Sequence, residues 1–490
     1  MSQEIAICWF RQDLRISDNP ALLAAAEHDQ LLPIYVLDDD SADEVAMGGA
    51  SRWWLHHSLQ SLNSDLIGTL QFFRGDASVI LRELCQRHNV THVYWNRCYE
   101  PWRIDRDREI KTELLEQGIH AESFNASLLQ EPWAITKTDG SPYKVFTPYY
   151  RRFMVQSHAA PKATPRFMPS LLEDSHSCSL SDLELLPSIN WAEGFKPHWQ
   201  PGEKWAHKRW RSFLDERLNN YQQGRDFPAK QSVSGLSPHL HFGEISPRQL
   251  LQDLQYVGGS DTDNDNREHF IRELAWREFS YYLLYHWPDL PGKNLRPEFD
   301  YFPWQHDETL LRQWQRGMTG YPLVDAGMRE LWQTGFMHNR VRMITASFLV
   351  KNLRQDWRSG AAWFWDCLLD ADLASNSASW QWVAGCGTDA APYFRIFNPV
   401  TQSEKFDPGG DYIRQYVPEL AALPNRYLHR PWEAPDDLLA QAGITLGKDY
   451  PHPMIDLAES RAAALDAFAA IKTVEPTVAV NQAAQKVSAL

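Results

Sequence analysis

The 490-residue chain is short of several things, and each shortage removes a class of protein. Its six cysteines, Cys8, Cys85, Cys98, Cys178, Cys367 and Cys386, are scattered, with no CxxC pair. They read as reduced thiols, not as a disulfide framework or an iron–sulfur or zinc site, and no metal is expected. No uninterrupted apolar run reaches the ~18–20 residues of a membrane helix, and mean hydropathy is -0.48. The opening MSQEIAICWFRQDLR lacks the charged-then-apolar layout of a secretory leader, so a cytoplasmic protein without a membrane role is expected. Neither GxGxxG nor a P-loop pattern occurs, which argues against an ordinary dinucleotide or ATP site.

Net basic charge is missing too, and a total of -15 speaks against phosphate-rich partners. Its distribution softens that argument. Residues 1–130 carry 11 Lys+Arg against 20 Asp+Glu, and 431–490 carry 4 against 8, which leaves the middle of the chain at only -2. A local basic face for nucleic acid can therefore exist on an acidic protein.

Tryptophan is what the chain has in excess. Ten of its 21 (Trp276, Trp287, Trp304, Trp314, Trp332, Trp357, Trp363, Trp365, Trp380 and Trp382) fall within 276–382. Two of them stand in ASNSASWQWVAG among the smallest residues available, as if the backbone had to approach something flat and large.

The first 130 residues alternate strand-like and helix-like segments: EIAICWF, NPALLAAAEH, LLPIYVLD, ASRWWLHHSLQSLNSDL, TLQFFRG, ASVILRELCQRH, VTHVYWN, PWRIDRDREIKTELLEQ and IHAESFN. That order predicts an α/β domain, a Rossmann-like parallel sheet covered on both faces, over 1–130. Ligands of such sheets sit at the carboxyl ends of the strands, here in RQDLRISDN and RCYEPW. Residues 131–200 are rich in Pro, Ser and Trp and read as a long connector. From 201 to 475 the apolar spacing is three and four, which predicts a large all-α domain. Residues 476–490 read as a disordered tail.

Taken as a helix, DADLASNSASWQW puts Asp372, Asn376 and Trp380 on one face, with HNRVRM (His338, Asn339, Arg340, Arg342) upstream. Two readings stay open at this point. One is a structural Asp–Arg ion pair in a helical core, since a buried carboxylate requires a partner. The other is a pocket for a flat, polar, redox-active heterocycle.

WFRQDLRISDNPAL, ELAWREF, TGYPLVDAGMRELWQTGFMHNRVRMITASFLVKNL, DWRSGAAWFWDCLLDADL and WQWVAGCGTDAAPYFRIFNPVTQSEKFDPGGDYIRQYVPEL closely resemble the DNA photolyase/cryptochrome family, over roughly residues 5–430. The resemblance implies an N-terminal antenna domain and a C-terminal helical domain holding FAD, active as the reduced FADH⁻. By the same resemblance, Tyr221 and the stretch Val233, Ser234, Gly235, Leu236 and Ser237 hold the FAD phosphates. Phe270, Glu273, Arg277, Asn339, Arg342, Asp370 and Asp372 line the flavin pocket, with Arg342 and Asp370 as an ion pair. Asn376 faces the flavin N5, where an amide suits a protonated nitrogen; plant cryptochromes carry an acid there and animal ones usually a cysteine. Trp380, Trp357 and Trp304 form a tryptophan chain from flavin to surface. Trp276 and Trp382 stack on a flipped-out lesion beside Glu273, Asn339 and Met343, and Arg225 and Arg340 contact DNA phosphates.

The member implied first is a monomeric cyclobutane pyrimidine dimer photolyase acting on UV-damaged DNA. The alternatives are a blue-light cryptochrome and a (6-4) photolyase. The eukaryotic (6-4) type has a histidine where this chain has Asn339, and the bacterial type needs four cluster cysteines that the scattered ones do not supply. An antenna chromophore, a folate or a deazaflavin, is placed near Arg11, Asp13 and Glu100. Trp102-Arg103 stands where one subgroup holds folate with an Asn-Glu pair, so an empty antenna site is also open.

Overall fold

The computed structural model describes residues 3–39, 45–257, 261–390 and 392–472, with the side chains of 261–263 left aside. The expected tail at 476–490 lies outside the described residues. Five strands, β1 (Ile5–Phe10), β2 (Gln30–Leu37), β3 (Gln71–Arg74), β4 (His92–Asn96) and β5 (His120–Phe124), pair in parallel in the order β3-β2-β1-β4-β5. Helices α1 (Pro20–Ala25), α2 (Gly49–Asp65), α3 (Ala77–His88) and α4 (Pro101–Glu116) connect them.

The continuous apolar runs follow from burial on both faces. In β1, Ala6, Cys8 and Phe10 pack into one core cluster while Ile7 and Trp9 pack into another. Strand order reverses between β1 and β4, and the loops after those strands open a crevice there.

The segment 131–200 is more than a connector. Ser170–Leu171 forms β6, a short strand added in parallel to β2 at Gln30–Leu31, and Phe146–Met154 forms α5, packed on the helical half. Proline and serine set the irregular stretches between them, while buried Phe146, Tyr149 and Phe153 anchor α5.

Beyond residue 200 the described residues are helical apart from isolated bridges. The long helix Asp261–His286 and the helices Asn339–Ser347, Trp357–Cys367 and Leu373–Ala384 surround the principal cavity. The helix drawn through DADLASNSASWQW begins one residue later than the spacing suggested. Asp372 is its N-cap, accepting from Ser375 N at 2.7 Å, and Gly385 ends it with φ +89°. After Ser347 the backbone widens into a π-helical turn over Phe348–Asn352, for which the periodicity gives no signal.

The sheet half and the helical half are joined by buried hydrogen bonds. Leu14 N donates to Phe242 O (3.0 Å), Arg15 Nη1 to Gly243 O (2.8 Å), Trp54 Nε1 to Glu244 Oε1 (3.0 Å) and Ser246 Oγ to Asp18 Oδ2 (2.5 Å). Gly243 makes the approach possible: its φ is +67°, and a Cβ there would lie 2.1 Å from Gln12 O.

Candidate active site

The helical half encloses a cavity of about 580 Å³, within the range of small-molecule and cofactor sites. Tyr221, Ser234, Leu236, Ser237, Phe270, Glu273, Arg277, Asn339, Arg342, Asp370, Asp372 and Asn376 all line it, as do Arg225, Trp276, Arg340, Met343, Trp380 and Trp382. Residues from six separate helical segments therefore converge on one space.

Two expected residues do not line it. Val233 uses its carbonyl to accept from Arg217 Nη1 at 3.3 Å. Gly235 turns the chain with φ +66°, and a Cβ there would lie 2.7 Å from the Arg209 guanidinium. Both shape the segment leading to the five-residue helix Ser237–His241 without facing the cavity.

The carboxylate end of the cavity is built around Asp372. Its Oδ2 accepts from Tyr281 Oη at 2.5 Å and lies 3.6 Å from His241 Nδ1. Burial raises the pKa of this carboxyl, but His241, Arg277 and the Tyr281 hydroxyl outweigh burial and hold it well below the usual carboxylate range. The expected Arg342–Asp370 pair is present at 2.9 Å, with Arg342 also donating to Met337 O at 2.7 Å. Asn376 Nδ2 donates to Ala361 O at 3.0 Å, so its Oδ1 is the group left to accept from a protonated ligand nitrogen.

Three buried polar atoms on cavity residues have no hydrogen-bond partner: Arg340 Nε, Asp370 Oδ1 and Thr388 Oγ1. Buried polar atoms are otherwise almost always satisfied. A ring system rich in nitrogen and oxygen with a polar tail, such as FAD, fits this donor and acceptor set.

The aromatic wall has two sides. Trp276 stacks on Phe146 of α5 with ring centroids 3.6 Å apart and planes 7° apart, and Trp382 lines the cavity half-buried. Trp380 is buried, edge-on to Phe364 at 5.0 Å and Trp314 at 6.3 Å. Gly360 makes room for it, since a Cβ there would lie 2.2 Å from the Trp380 indole. Trp357 sits one turn before Gly360 on the same helix, fully buried, its Nε1 donating to Asn294 Oδ1 at 2.9 Å. Trp304 lies further out, half-buried, where Gln305 N donates to Arg354 O at 2.7 Å. Of the three indoles, Trp380 lines the cavity, Trp357 is fully buried and Trp304 is half-buried.

The arginines expected to meet phosphates are not free. Arg225 is ion-paired with Glu273, and Arg340 with Asp226 at 2.7 Å. Their charge is shared with a carboxylate at the rim. Sequence reasoning missed His241, Tyr281, Phe146 and Thr388; the HLH after VSGLS was the one available hint.

A second cavity, of about 60 Å³, opens at the carboxyl ends of β1 and β2 and is lined by Arg11 and Glu100 together with Trp9, Asp38, Trp102, Arg103 and Arg106. Asp13 is a correction: it is buried inside its own loop, accepting from Arg11 N at 2.5 Å and Asn96 Nδ2 at 2.6 Å. As built, this space is far smaller than a folate or deazaflavin requires.

Residues 6–167 match the family model described as DNA photolyase, and 270–470 match the FAD binding domain of DNA photolyase. The chain is 48% identical over 472 residues to a deoxyribodipyrimidine photo-lyase of Agrobacterium fabrum, covering 95% of this chain and 98% of that protein. The chain belongs to the DNA photolyase/cryptochrome family. Arabidopsis thaliana cryptochrome-2 is 39% identical, over 93% of this chain and 77% of its own length. The crystal structure of a bacterial class III photolyase from Agrobacterium tumefaciens superposes with a TM-score of 0.92 at 46% identity, covering 97% and 99% of the two chains. The photolyase fold, a parallel-sheet domain and a helical FAD-binding domain, is thereby established, and the large cavity lies in the FAD-binding domain.

Proposed function

We propose that this photolyase-family chain is a light-dependent DNA repair enzyme that splits cyclobutane pyrimidine dimers. The observation that carries this reading is the convergence of Asn376, the Arg342–Asp370 pair and the Trp276 and Trp382 walls on one cavity. Sequence agreement points the same way, with a photo-lyase at 48% identity and a cryptochrome at 39%. Bound as reduced FAD, the cofactor supplies one photoexcited electron that opens the cyclobutane ring and returns, so no net redox change occurs.

The protein's own part is placement and electrostatics. Asp372, held ionised, anchors Tyr281 and His241 beneath the site. Asn376 offers Oδ1 to a protonated nitrogen and thereby favours the reduced cofactor. Trp276, braced from behind by Phe146, and Trp382 give an extruded pyrimidine pair two aromatic surfaces in place of its lost base stack. Glu273, Asn339 and Met343 supply polar and soft contacts beside them. Arg225 and Arg340 meet backbone phosphates at the rim by exchanging their carboxylate partners. Trp380, Trp357 and Trp304 carry electrons inward when the cofactor has been oxidised. No described helix is long and apolar enough to cross a membrane, and all six cysteines are free thiols, the form a reducing compartment maintains.

The test is repair of an oligonucleotide carrying one thymine cyclobutane dimer under near-UV or blue light, beside a dark control and a (6-4) substrate. Restoration of the cyclobutane substrate alone, in light only, is expected. Failure on both by protein with bound, photoreducible flavin would replace this reading with a light-signalling one.

A further inference from the structure

The amino-terminal edge of the sheet, opposite the crevice, carries a histidine cluster that the repair chemistry does not use. His92 and His120 are directly paired in the register of β4 and β5, and period two puts Tyr94 on the same face as His92. His28, just before β2, stacks on His92 with ring centroids 4.0 Å apart, and His92 and His120 are 5.3 Å apart. Glu4, at the start of β1, brings Oε2 to 3.1 Å from His28 Nδ1. One ligand atom from each of Glu4, His28 and His92 lies within 4.8 Å of the others.

We propose that Glu4, His28 and His92 bind a divalent transition-metal ion of the zinc class, with His120 or water completing the coordination. Two imidazoles and one carboxylate are borderline donors that suit zinc better than magnesium or calcium. Ligand atoms about 2.0–2.2 Å from a tetrahedral ion stand about 3.3 Å from one another, close to the His28–Glu4 spacing.

Outer contacts orient the rings. Thr91 Oγ1 donates to Ile5 O (3.1 Å) and accepts from Ile5 N (3.2 Å), so its contact with His92 Nδ1 (2.9 Å) is received from an Nδ1–H. That leaves His92 Nε2 as a bare lone pair. His28 Nε2 lies 3.0 Å from Tyr94 Oη, which can take its proton and leave Nδ1 facing Glu4. The ion would tie the lead-in to β2 to the starts of β1 and β4.

Titration of metal-stripped, FAD-loaded full chain with zinc chloride near neutral pH, followed by calorimetry, tests the site. One micromolar site is expected. Glu4→Gln, a change at an exposed residue that leaves the core intact, and His28→Gln should each weaken binding by about 10-fold or more. His306→Gln, at an exposed histidine elsewhere, should leave it unchanged. Absence of binding up to about 1 mM zinc, or wild-type affinity in both cluster variants with flavin content intact, would overturn the proposal.

Discussion

The two cavities use their charges alike and differ in the room they leave. At the sheet crevice every cation already has work: Arg11 pairs with Asp107 at 2.5 Å and Arg106 with Asp38 at 3.0 Å, while Arg103 lies 3.7 Å from Glu100. The indoles there are covered as well, with Arg11 and Arg106 over Trp9 and Arg103 and Arg106 over Trp102, all within 5.0 Å. In the helical half the cations are paired as well, Arg225 with Glu273, Arg340 with Asp226 and Arg342 with Asp370. Both cavities also keep buried polar atoms without partners, Asp38 Oδ1 and Glu100 Oε2 in the crevice and Asp370 Oδ1 and Thr388 Oγ1 in the helical half. What differs is room: about 580 Å³ against about 60 Å³, with one face of Trp276 left for something other than Phe146.

The sharpest way to break this contrast is to remove one carboxylate from each cavity. Asp372→Ala takes away the acceptor of Tyr281, the partner of His241 and a helix N-cap together. A loss of about 3–5 kcal/mol and protein purified without flavin are expected, read by melting and by flavin absorbance. Asp38→Ala, which removes one of two carboxylates on Arg106 and leaves Asp107 at 2.8 Å, should leave flavin content unchanged. Next in size, Trp276→Ala should weaken binding of dimer-containing DNA by about 5–150-fold, the equivalent of about 1–3 kcal/mol of stacking. Its flavin content should stay full, and loss of flavin would remove Trp276 from the lesion wall. Trp304→Phe should abolish photoreduction of oxidised protein while leaving repair by chemically reduced protein intact; normal photoreduction would take Trp304 out of the relay.

The smallest effect concerns Glu330. Burial raises its carboxyl to about 7, against hydrogen bonds from Tyr412 Oη and His338 N that favour the charged form. The folded state therefore holds this proton more tightly than the unfolded chain. That contribution to stability is complete below the ordinary glutamate value of 4.5 and is lost as pH rises through about 7. Glu330→Gln should flatten the fall in melting temperature over this window by about 1–3 °C.

The sequence made some of this legible and hid the rest for physical reasons. The central strands β1, β2 and β4 were visible because both faces of the sheet are buried there, so apolar runs mark them, while the edge strand β5 with exposed His120 and Glu122 was legible from its place in the strand–helix alternation. The cavity residues on the helices Asn339–Ser347 and Leu373–Ala384 were visible through family motifs, and most of them do converge. What stayed hidden depends on partners far along the chain. Phe146 shows its purpose only when α5 meets Trp276, 130 positions later, and Tyr281 only when it meets Asp372. Arg225 and Arg340 read as free cations because Glu273 and Asp226 are not sequence neighbours. Asp13 carried the right chemistry on the right loop but turns inward.

The seam between the sheet half and the helical half has a thermodynamic consequence. Arg15 and Asp18 on one side and Gly243 and Ser246 on the other are buried, so parting the halves would strand charged and polar groups in a dry interface. Neither half can then melt at leisure while the other persists, and a calorimetric scan should show one cooperative transition. Damage severe enough to unfold the sheet, though remote from any flavin contact, is then felt as cofactor loss. Selection for a more robust sheet is at the same time selection for a better-held chromophore.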